Sequence, residues 1–161
     1  MTSTNCHGRG GRVLELVVRL AVPEDEERIR ELFIEMLRTI YHTENVEGYE
    51  SGYLDKFWSD REDRIYVAAD ASVEAFLSIE VYREPDNYIY LDDLSVTERY
   101  RGRGIGTRLI REAEAYAKER GIGSILFHVE KSNVSAFRLY EKLGYAVYRD
   151  DGRRYLMKKD I

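Results

Sequence analysis

Three glycines at alternate positions, Gly102, Gly104 and Gly106, stand between a strand-like run that ends at Val96 and a helically periodic run that begins at Ile105. No other feature of the chain restricts its folding choices as much. Glycine lets the backbone turn through left-handed dihedrals and carries no side chain, so N–H groups at the start of the following helix stay uncovered. Those groups and the positive end of the helix dipole suit an anion, and phosphate is the natural guest. Glycines also serve plain tight turns. Here the strand before, the helix after and four arginines, Arg99, Arg101, Arg103 and Arg108, all agree on the anion. A triphosphate loop does not fit, because no Gly-Lys-Ser or Gly-Lys-Thr follows. A dinucleotide fold fits poorly: its third glycine would fall at Thr107, and Leu126 and Phe127 stand where an acidic residue should end the next strand.

The pattern around this loop predicts the remaining elements. "VLELVVRLAV" (13–22) is short and rich in β-branched residues, which predicts a strand. Pro23 then starts a helix without wasting a donor, and Glu24, Asp25 and Glu26 place negative charge at its positive end. Ile29, Leu32, Phe33, Met36, Leu37 and Ile40 recur at helical spacing and predict its buried face. From His42 to Asp63 the pattern is mixed; Tyr49, Tyr53, Leu54, Phe57 and Trp58 predict a short second helix, either a cover over a site or an ordinary surface helix. Residues 64–70 and 73–82 read as an antiparallel hairpin, and 88–96 as a third strand after a turn at Pro85, Asp86 and Asn87.

Beyond the glycines, Ile105, Leu109, Ala113, Tyr116 and Ala117 form a helical stripe ended by Gly121, with Glu114 and Lys118 paired on the wet face. Residues 124–129 read as a strand, 133–144 as a helix capped by Asn133, and "YAVYRDDGRRYLMKK" as a hairpin turning at Asp151-Gly152. The order predicts an α/β (α+β) fold: one sheet with antiparallel and parallel parts, flanked by helices.

Composition bounds the function. With 161 residues, 43% hydrophobic and 34% charged, the chain suits one soluble domain over 13–161 behind a flexible tail at 1–12. No apolar run reaches the roughly 18 residues of a membrane helix. A net charge of -5 argues against nucleic-acid binding and suits a cationic partner better. The lone Cys6 cannot form an internal disulfide and with His7 makes at most half a metal site, so no metal is expected and a cytoplasmic location is.

"RGRGIG" (101–106) matches, at every fixed position, the acyl-CoA loop of the GNAT superfamily of N-acetyltransferases: Gln or Arg, two residues, Gly, one residue, Gly or Ala. "SILFHVEKSNVSAFRLYEKLGY" (124–145) resembles that superfamily's second block, a strand followed by Asn, Ala, Leu-Tyr, Lys and Gly-aromatic. The resemblance covers 88–145 strongly and the rest by element order. It implies a mainly antiparallel, twisted sheet whose central parallel strands splay apart, acetyl-CoA as cosubstrate and an amine as acceptor. By the same resemblance, Arg101, Gly102, Arg103, Gly104, Ile105, Gly106 and Thr107 cradle the pyrophosphate. Leu94, Ser95 and Val96 run beside the pantetheine arm as an added strand would, with the Val96 N–H at the thioester carbonyl. Asn133 meets the cofactor from the next helix, a role compatible with capping.

The chemistry then names its candidates. An alkyl amine, with pKa about 10.4, must lose a proton before it attacks, and the leaving thiolate must gain one. Tyr140 matches the family's acid, although Ala136, Leu139, Tyr140 and Leu143 also form an ordinary core stripe. For the base, "YLDDLSV" resembles the strand of diamine and spermidine acetyltransferases, in which Asp92 matches the residue that relays the proton through water. "FHVEKSN" resembles protein N-terminal acetyltransferases, in which His128 matches the base and Tyr90 its tyrosine; imidazole titrates in the range this work needs. Asp93 is a candidate for holding a cationic acceptor, which the acidic "SDRED" segment also suits. Acceptors on either side of this choice, a polyamine-like small cation or a protein amine, remain open here, and a non-catalytic CoA sensor is the alternative from another class. The C-terminal strand could pair across a homodimer.

Overall fold

The computed structural model describes residues 16–161. The reading of 1–12 as a tail, Cys6, His7 and the first three residues of the predicted strand at 13–22 lie outside them. The elements are β1 (Val17–Leu20), α1 (Glu26–Tyr41), β2 (Arg64–Ala69), β3 (Val73–Tyr82), β4 (Tyr88–Val96), α2 (Ile105–Glu119), β5 (Ser124–Glu130), α3 (Val134–Lys142), β6 (Ala146–Asp151) and β7 (Arg154–Asp160). They form one seven-stranded sheet in the order β1-β2-β3-β4-β5-β7-β6. Every neighbouring pair is antiparallel except β4 and β5, which run parallel. This is the mixed, mainly antiparallel sheet that the sequence predicts.

Helices lie on both faces, which explains why β3 is buried from Val73 to Ile79 with no polar alternation. On one face Ile105, Leu109, Ile110, Ala113, Tyr116 and Ala117 of α2 pack against Leu77, Ile79, Ile89 and Ile125. On the other, Ile29 and Leu32 of α1, with Leu54, cover Ile65, Val67 and Phe76. Leu109 is fully buried at the centre of the first cluster. Leu109→Ala should therefore cost about 2–5 kcal/mol in denaturant unfolding; a loss under about 1 kcal/mol would mean that α2 does not seat on the sheet as described.

Five details depart from the sequence reading. β1 ends at Leu20, two residues early: the Ala21 N–H still donates to the Ile65 carbonyl (2.8 Å), but Pro23 beyond it has no N–H to continue the ladder. Pro23–Asp25 winds as a 3-10 turn rather than α-helix, since the Asp25 carboxylate is tied back to the Val22 N–H (2.9 Å) and Arg19 (2.7 Å). Ile40 is 53% exposed, and so is Leu139 at 43%, because the last turn of α1 and one edge of α3 extend past the surfaces they pack on. Glu114 is buried instead of pairing with Lys118 on the wet face; Lys159 (2.8 Å) and Arg111 (2.9 Å) compensate its charge. The last hairpin turns at Gly152 and Arg153, one residue later than expected, with Asp151 opposite Arg154 and Gly152 at φ 85°.

The segment 42–63 forms no second α-helix. It contains only a 3-10 turn, Tyr53–Phe57, entered through Gly52 at φ 78°. Side-chain stacking replaces backbone periodicity: the Tyr49 ring lies between Phe33 (3.8 Å) and Tyr53 (4.7 Å), nearly parallel to both.

Candidate active site

β4 and β5 pair over two positions only, Ile89 with Ile125 and Tyr90 with Leu126. Further along, β4 stays on β3 and β5 stays on β7, so the sheet opens into a wedge. The Thr97 N–H donates to the Glu74 carbonyl (2.9 Å), which makes those two a hydrogen-bonded pair. By antiparallel alternation, Val96 opposite Ala75 and Leu94 opposite Leu77 turn their backbone groups the other way, into the wedge. The Val96 carbonyl accepts from Arg101 Nε at 2.8 Å. Ser95, between them, faces away: it is buried and its hydroxyl donates to the Leu32 carbonyl (3.0 Å). Of the three β4 residues expected beside a cofactor arm, the structure turns Leu94 and Val96 into the gap and Ser95 out of it.

At the mouth of the wedge the glycine loop opens α2. Gly102 and Gly104 have φ of 73° and 80°, and a Cβ on either would meet nothing within 4 Å, so the space above them is open. A Cβ on Gly106 would lie 3.5 Å from the Leu94 side chain, which places the start of α2 beside β4. The Arg108 N–H bonds the Gly104 carbonyl (3.0 Å), so Ile105, Gly106 and Thr107 carry the N–H groups that no preceding turn can satisfy. Three of the four arginines hold the loop's own frame. Arg99 pairs with buried Glu74 (2.6 Å), Arg101 with the Val96 carbonyl, and Arg108 with the Leu16 carbonyl (3.0 Å). Arg103 lies over the Tyr100 ring at 5.8 Å and makes no ion pair among the described residues. It is the arginine best placed to move toward an anion.

Inside the wedge, a cavity of about 50 Å³ is lined by Asp92 from β4, Phe127 and His128 from β5, and Tyr140 from α3. All three candidate catalytic residues meet there. The Tyr140 ring packs edge-on against Phe127 with centroids 4.5 Å apart. Burial alone pushes its phenol up from the ordinary range, so it stays protonated across neutral pH. Asn133 lies at the exposed start of α3, where its side chain accepts from the Ala136 N–H (3.3 Å) as the cap.

Asp92 and Asp93 sit on a β-bulge. Leu94 faces Leu77 and Leu91 faces Ile79, so three steps along β4 oppose two along β3. The Asp93 N–H freed by this slip donates to the hydroxyl of buried Ser78 (3.1 Å). The stacked tyrosines cover the acid pair: the Tyr49 hydroxyl donates to Asp93 (2.5 Å) and the Tyr53 hydroxyl to Asp92 (3.4 Å). Lys56 reaches Glu80 (3.2 Å) alongside.

Asp92 opens to the cleft yet is ringed by protein atoms, and that burial, with the charges of Asp93 and Glu80, pushes its carboxyl up to about 6 against the pull of Lys56 and Tyr53. Asp93 is raised as well, by burial first, while the Tyr49 bond holds it down. Between about pH 4 and 6 the folded chain therefore keeps a proton on Asp92 that the unfolded chain has lost, so this group's contribution falls as pH rises through that window. Asp92→Asn should flatten that slope in melting temperature against pH and raise stability at pH 7. An unchanged slope would mean that the Asp92 carboxyl is not raised.

The His128 ring is held at both nitrogens, by the Tyr90 hydroxyl at Nδ1 (2.6 Å) and by Asp151 Oδ2 at Nε2 (2.8 Å). Arg149 grips Asp151 in turn (2.6 Å), and with His128 it holds that carboxyl down to about 2. Asp151, Tyr49 and Tyr53 were not among the predicted site residues. Tyr49 and Tyr53 belong to the aromatic segment that the sequence allows as a cover over a site, but nothing local ties them to Asp93 and Asp92; Asp151 carries no such signal and reaches the site from a distant element.

A sheet parted between two parallel strands, with a glycine-opened helix at the mouth of the gap, is the arrangement that the resemblance to N-acetyltransferases implies. The sequence model of the Acetyltransferase (GNAT) family matches residues 27–145, and the chain belongs to that family. It is 32% identical over 98 residues to streptothricin acetyltransferase from Streptomyces lavendulae, covering 60% of this chain and 51% of that protein. It is 35% identical over 71 residues to N-alpha-acetyltransferase 30 from Schizosaccharomyces pombe, covering 44% and 47%. The chain thus matches about half the length of each of these relatives. Its fold is similar to that of the PaiA N-acetyltransferase from Thermoplasma acidophilum, solved in complex with coenzyme A, with a TM-score of 0.73, 22% identity and coverage of 91% and 99%. Among the described residues no helix is long and apolar enough to cross a membrane.

Proposed function

We propose that this chain is an acetyl-CoA-dependent N-acetyltransferase that acts on a primary amine by direct attack. The observation that carries the reading is the meeting of Asp92, His128 and Tyr140 in one cavity where β4 and β5 part. The surroundings fit the cosubstrate. Open left-handed glycines and the orphan N–H groups of Ile105, Gly106 and Thr107 suit a pyrophosphate, and the backbone edge of Leu94 and Val96 suits an amide-bearing arm.

When bound, the thioester supplies an acetyl carbon open to a neutral amine. The Val96 N–H is directed into the wedge, where it can stabilise charge that develops on the acetyl oxygen. Tyr140, kept protonated by burial, gives its proton to the departing sulfur. Asp92, and His128 through the Tyr90 hydroxyl that holds its Nδ1, are the groups at the cavity able to take the amine proton.

The acceptor we favour is a small cationic amine of the polyamine type. Asp92, Asp93 and Glu80 concentrate negative charge beside the rings of Tyr49 and Tyr53, a setting that draws an ammonium group. The Tyr90 to His128 contact speaks for the second reading, a protein amine, but the final hairpin has a two-residue turn with no long loop to grip a peptide.

Release of the coenzyme A thiol, followed with acetyl-CoA against spermidine, lysine peptides and peptides with free N-termini, tests this. Turnover on spermidine is the expected result. Turnover on peptides alone would replace the acceptor, and bound acetyl-CoA without turnover on any amine would overturn the enzyme reading.

A further inference from the structure

The four groups Tyr90, His128, Asp151 and Arg149 form one continuous chain from β4, across β5, to the end of β6. Its proton order follows from chemistry. Asp151 is ionised and can only accept, because Arg149 and His128 hold its carboxyl at about 2. The Nε2 atom of His128, 2.8 Å away, must therefore carry the hydrogen. A neutral imidazole then has its lone pair on Nδ1, so the contact of 2.6 Å there is donated by the Tyr90 hydroxyl. The basic nitrogen of His128 is thus spoken for by Tyr90 and does not itself face an incoming amine.

A second space makes this order consequential. On the same sheet face as α1, over the strands that α1 does not reach, a groove of about 670 Å³ runs over β4, β5, β7 and β6, with Leu126 and Leu156 in its floor and Tyr90 and His128 in its wall. His128 also lines the small cavity in the wedge, so it stands where the two spaces meet. An acceptor lying in the groove meets the phenol oxygen of Tyr90.

We infer that Asp151 is a positioning residue that fixes the His128 tautomer, so that the amine proton leaves through Tyr90 and not directly onto the imidazole. This rests on the acetyltransferase reading above and extends it. The bookkeeping closes without a further reactant: the ammonium N–H bond breaks as the Tyr90 oxygen takes that proton, the Tyr90 O–H proton passes to Nδ1, and the imidazolium that results pairs with the Asp151 carboxylate. The Nδ1 proton later returns through the Tyr90 oxygen to solvent in the open groove. The charged or titratable neighbours that face this chain are Asp92 and Asp93 on β4, Glu80 on β3, Arg154 and Lys158 on β7, and Tyr140 on α3. Asp92 lies on the wedge side, and the two cations lie on the groove side.

The test has one readout that needs no turnover. Nitrogen-15 NMR of the histidine rings, with His128→Gln to assign the signal, should show His128 as the Nε2–H tautomer in the intact protein. In Asp151→Asn an Nδ1–H population should appear. An Nδ1–H ring in the unaltered protein, or a tautomer indifferent to Asp151→Asn, overturns the inference whether or not the protein proves to be an enzyme. The kinetic readout uses the amine that turns over. Asp151→Asn should lower kcat about 10-fold or more with KM for both substrates unchanged, and should move the acidic limb of kcat to lower pH, because the protonated ring loses its counter-charge. Asp151→Glu should restore part of the rate. His128→Gln combined with Asp151→Asn should cost no more than His128→Gln alone. Additive losses, or a loss confined to KM, would reduce Asp151 to a structural ion pair. Absence of turnover on every amine would count against the proposed function and leave the tautomer result to decide this one.

Discussion

Gly104→Glu should abolish acetyl-CoA binding in a chain that still folds. Gly104 begins α2 at φ 80°, a backbone state in which a side chain costs about 1–2 kcal/mol, and nothing of the protein lies within 4 Å of where its Cβ would be. The substitution therefore adds modest strain and no clash. It does place a carboxylate in the open space beside the N–H groups of Ile105, Gly106 and Thr107, where the proposed pyrophosphate sits. Like charges brought together in this way cost several kcal/mol, which corresponds to at least about 10²-fold in affinity. Gly104→Ala separates the two effects: it carries the strain without the charge and should lose far less. Calorimetric titration with acetyl-CoA reads both, and full affinity in Gly104→Glu would remove the loop from the binding site.

The second large effect is expected at Tyr140. Tyr140→Phe keeps the ring that packs edge-on against Phe127 and removes only the hydroxyl, which no group among the described residues hydrogen-bonds. Folding stability should change by less than about 1 kcal/mol. Turnover should fall by about 10²-fold or more, the usual contribution of a positioned acid, with acetyl-CoA affinity nearly unchanged. Stopped-flow rates and binding titrations on the same samples distinguish the cases. Equal losses in rate and affinity would make Tyr140 part of the cavity wall and not the proton donor.

What the sequence discloses about this site depends on how local each feature is. The glycine loop, the Asn133 cap and the stripe of α2 are written in neighbouring residues, and the structure places all three as expected. The parallel pairing of β4 and β5 follows from the helix between them. Features that arise between distant elements left no trace. The bulge at Asp92 and Asp93 exists because β4 slips against β3, and no strand carries its partner's register within itself. The Tyr49 hydroxyl reaches Asp93 across 44 residues of chain, from a segment whose aromatic spacing suggested a helix. Asp151 reaches His128 from a strand that is not its neighbour in the sheet. The same limit explains Glu114: its nearest helical partner was Lys118, but Lys159 on β7 supplies the charge.

The arginines teach a related lesson. Four of them near three glycines read as a cluster for an anion, yet Arg99, Arg101 and Arg108 spend their donors on Glu74, the Val96 carbonyl and the Leu16 carbonyl. They shape the loop, and Arg103 with the backbone N–H groups is what remains for the proposed anion.

Diffraction from crystals of this protein grown with coenzyme A would test the central claim most directly. The account predicts the pyrophosphate against the N–H groups of Ile105, Gly106 and Thr107, the pantetheine arm between β4 and β5 beyond Tyr90 and Leu126, and the sulfur near the Tyr140 hydroxyl. Coenzyme A found elsewhere, such as along the groove over Leu126 and Leu156 with the wedge still closed to it, would contradict it.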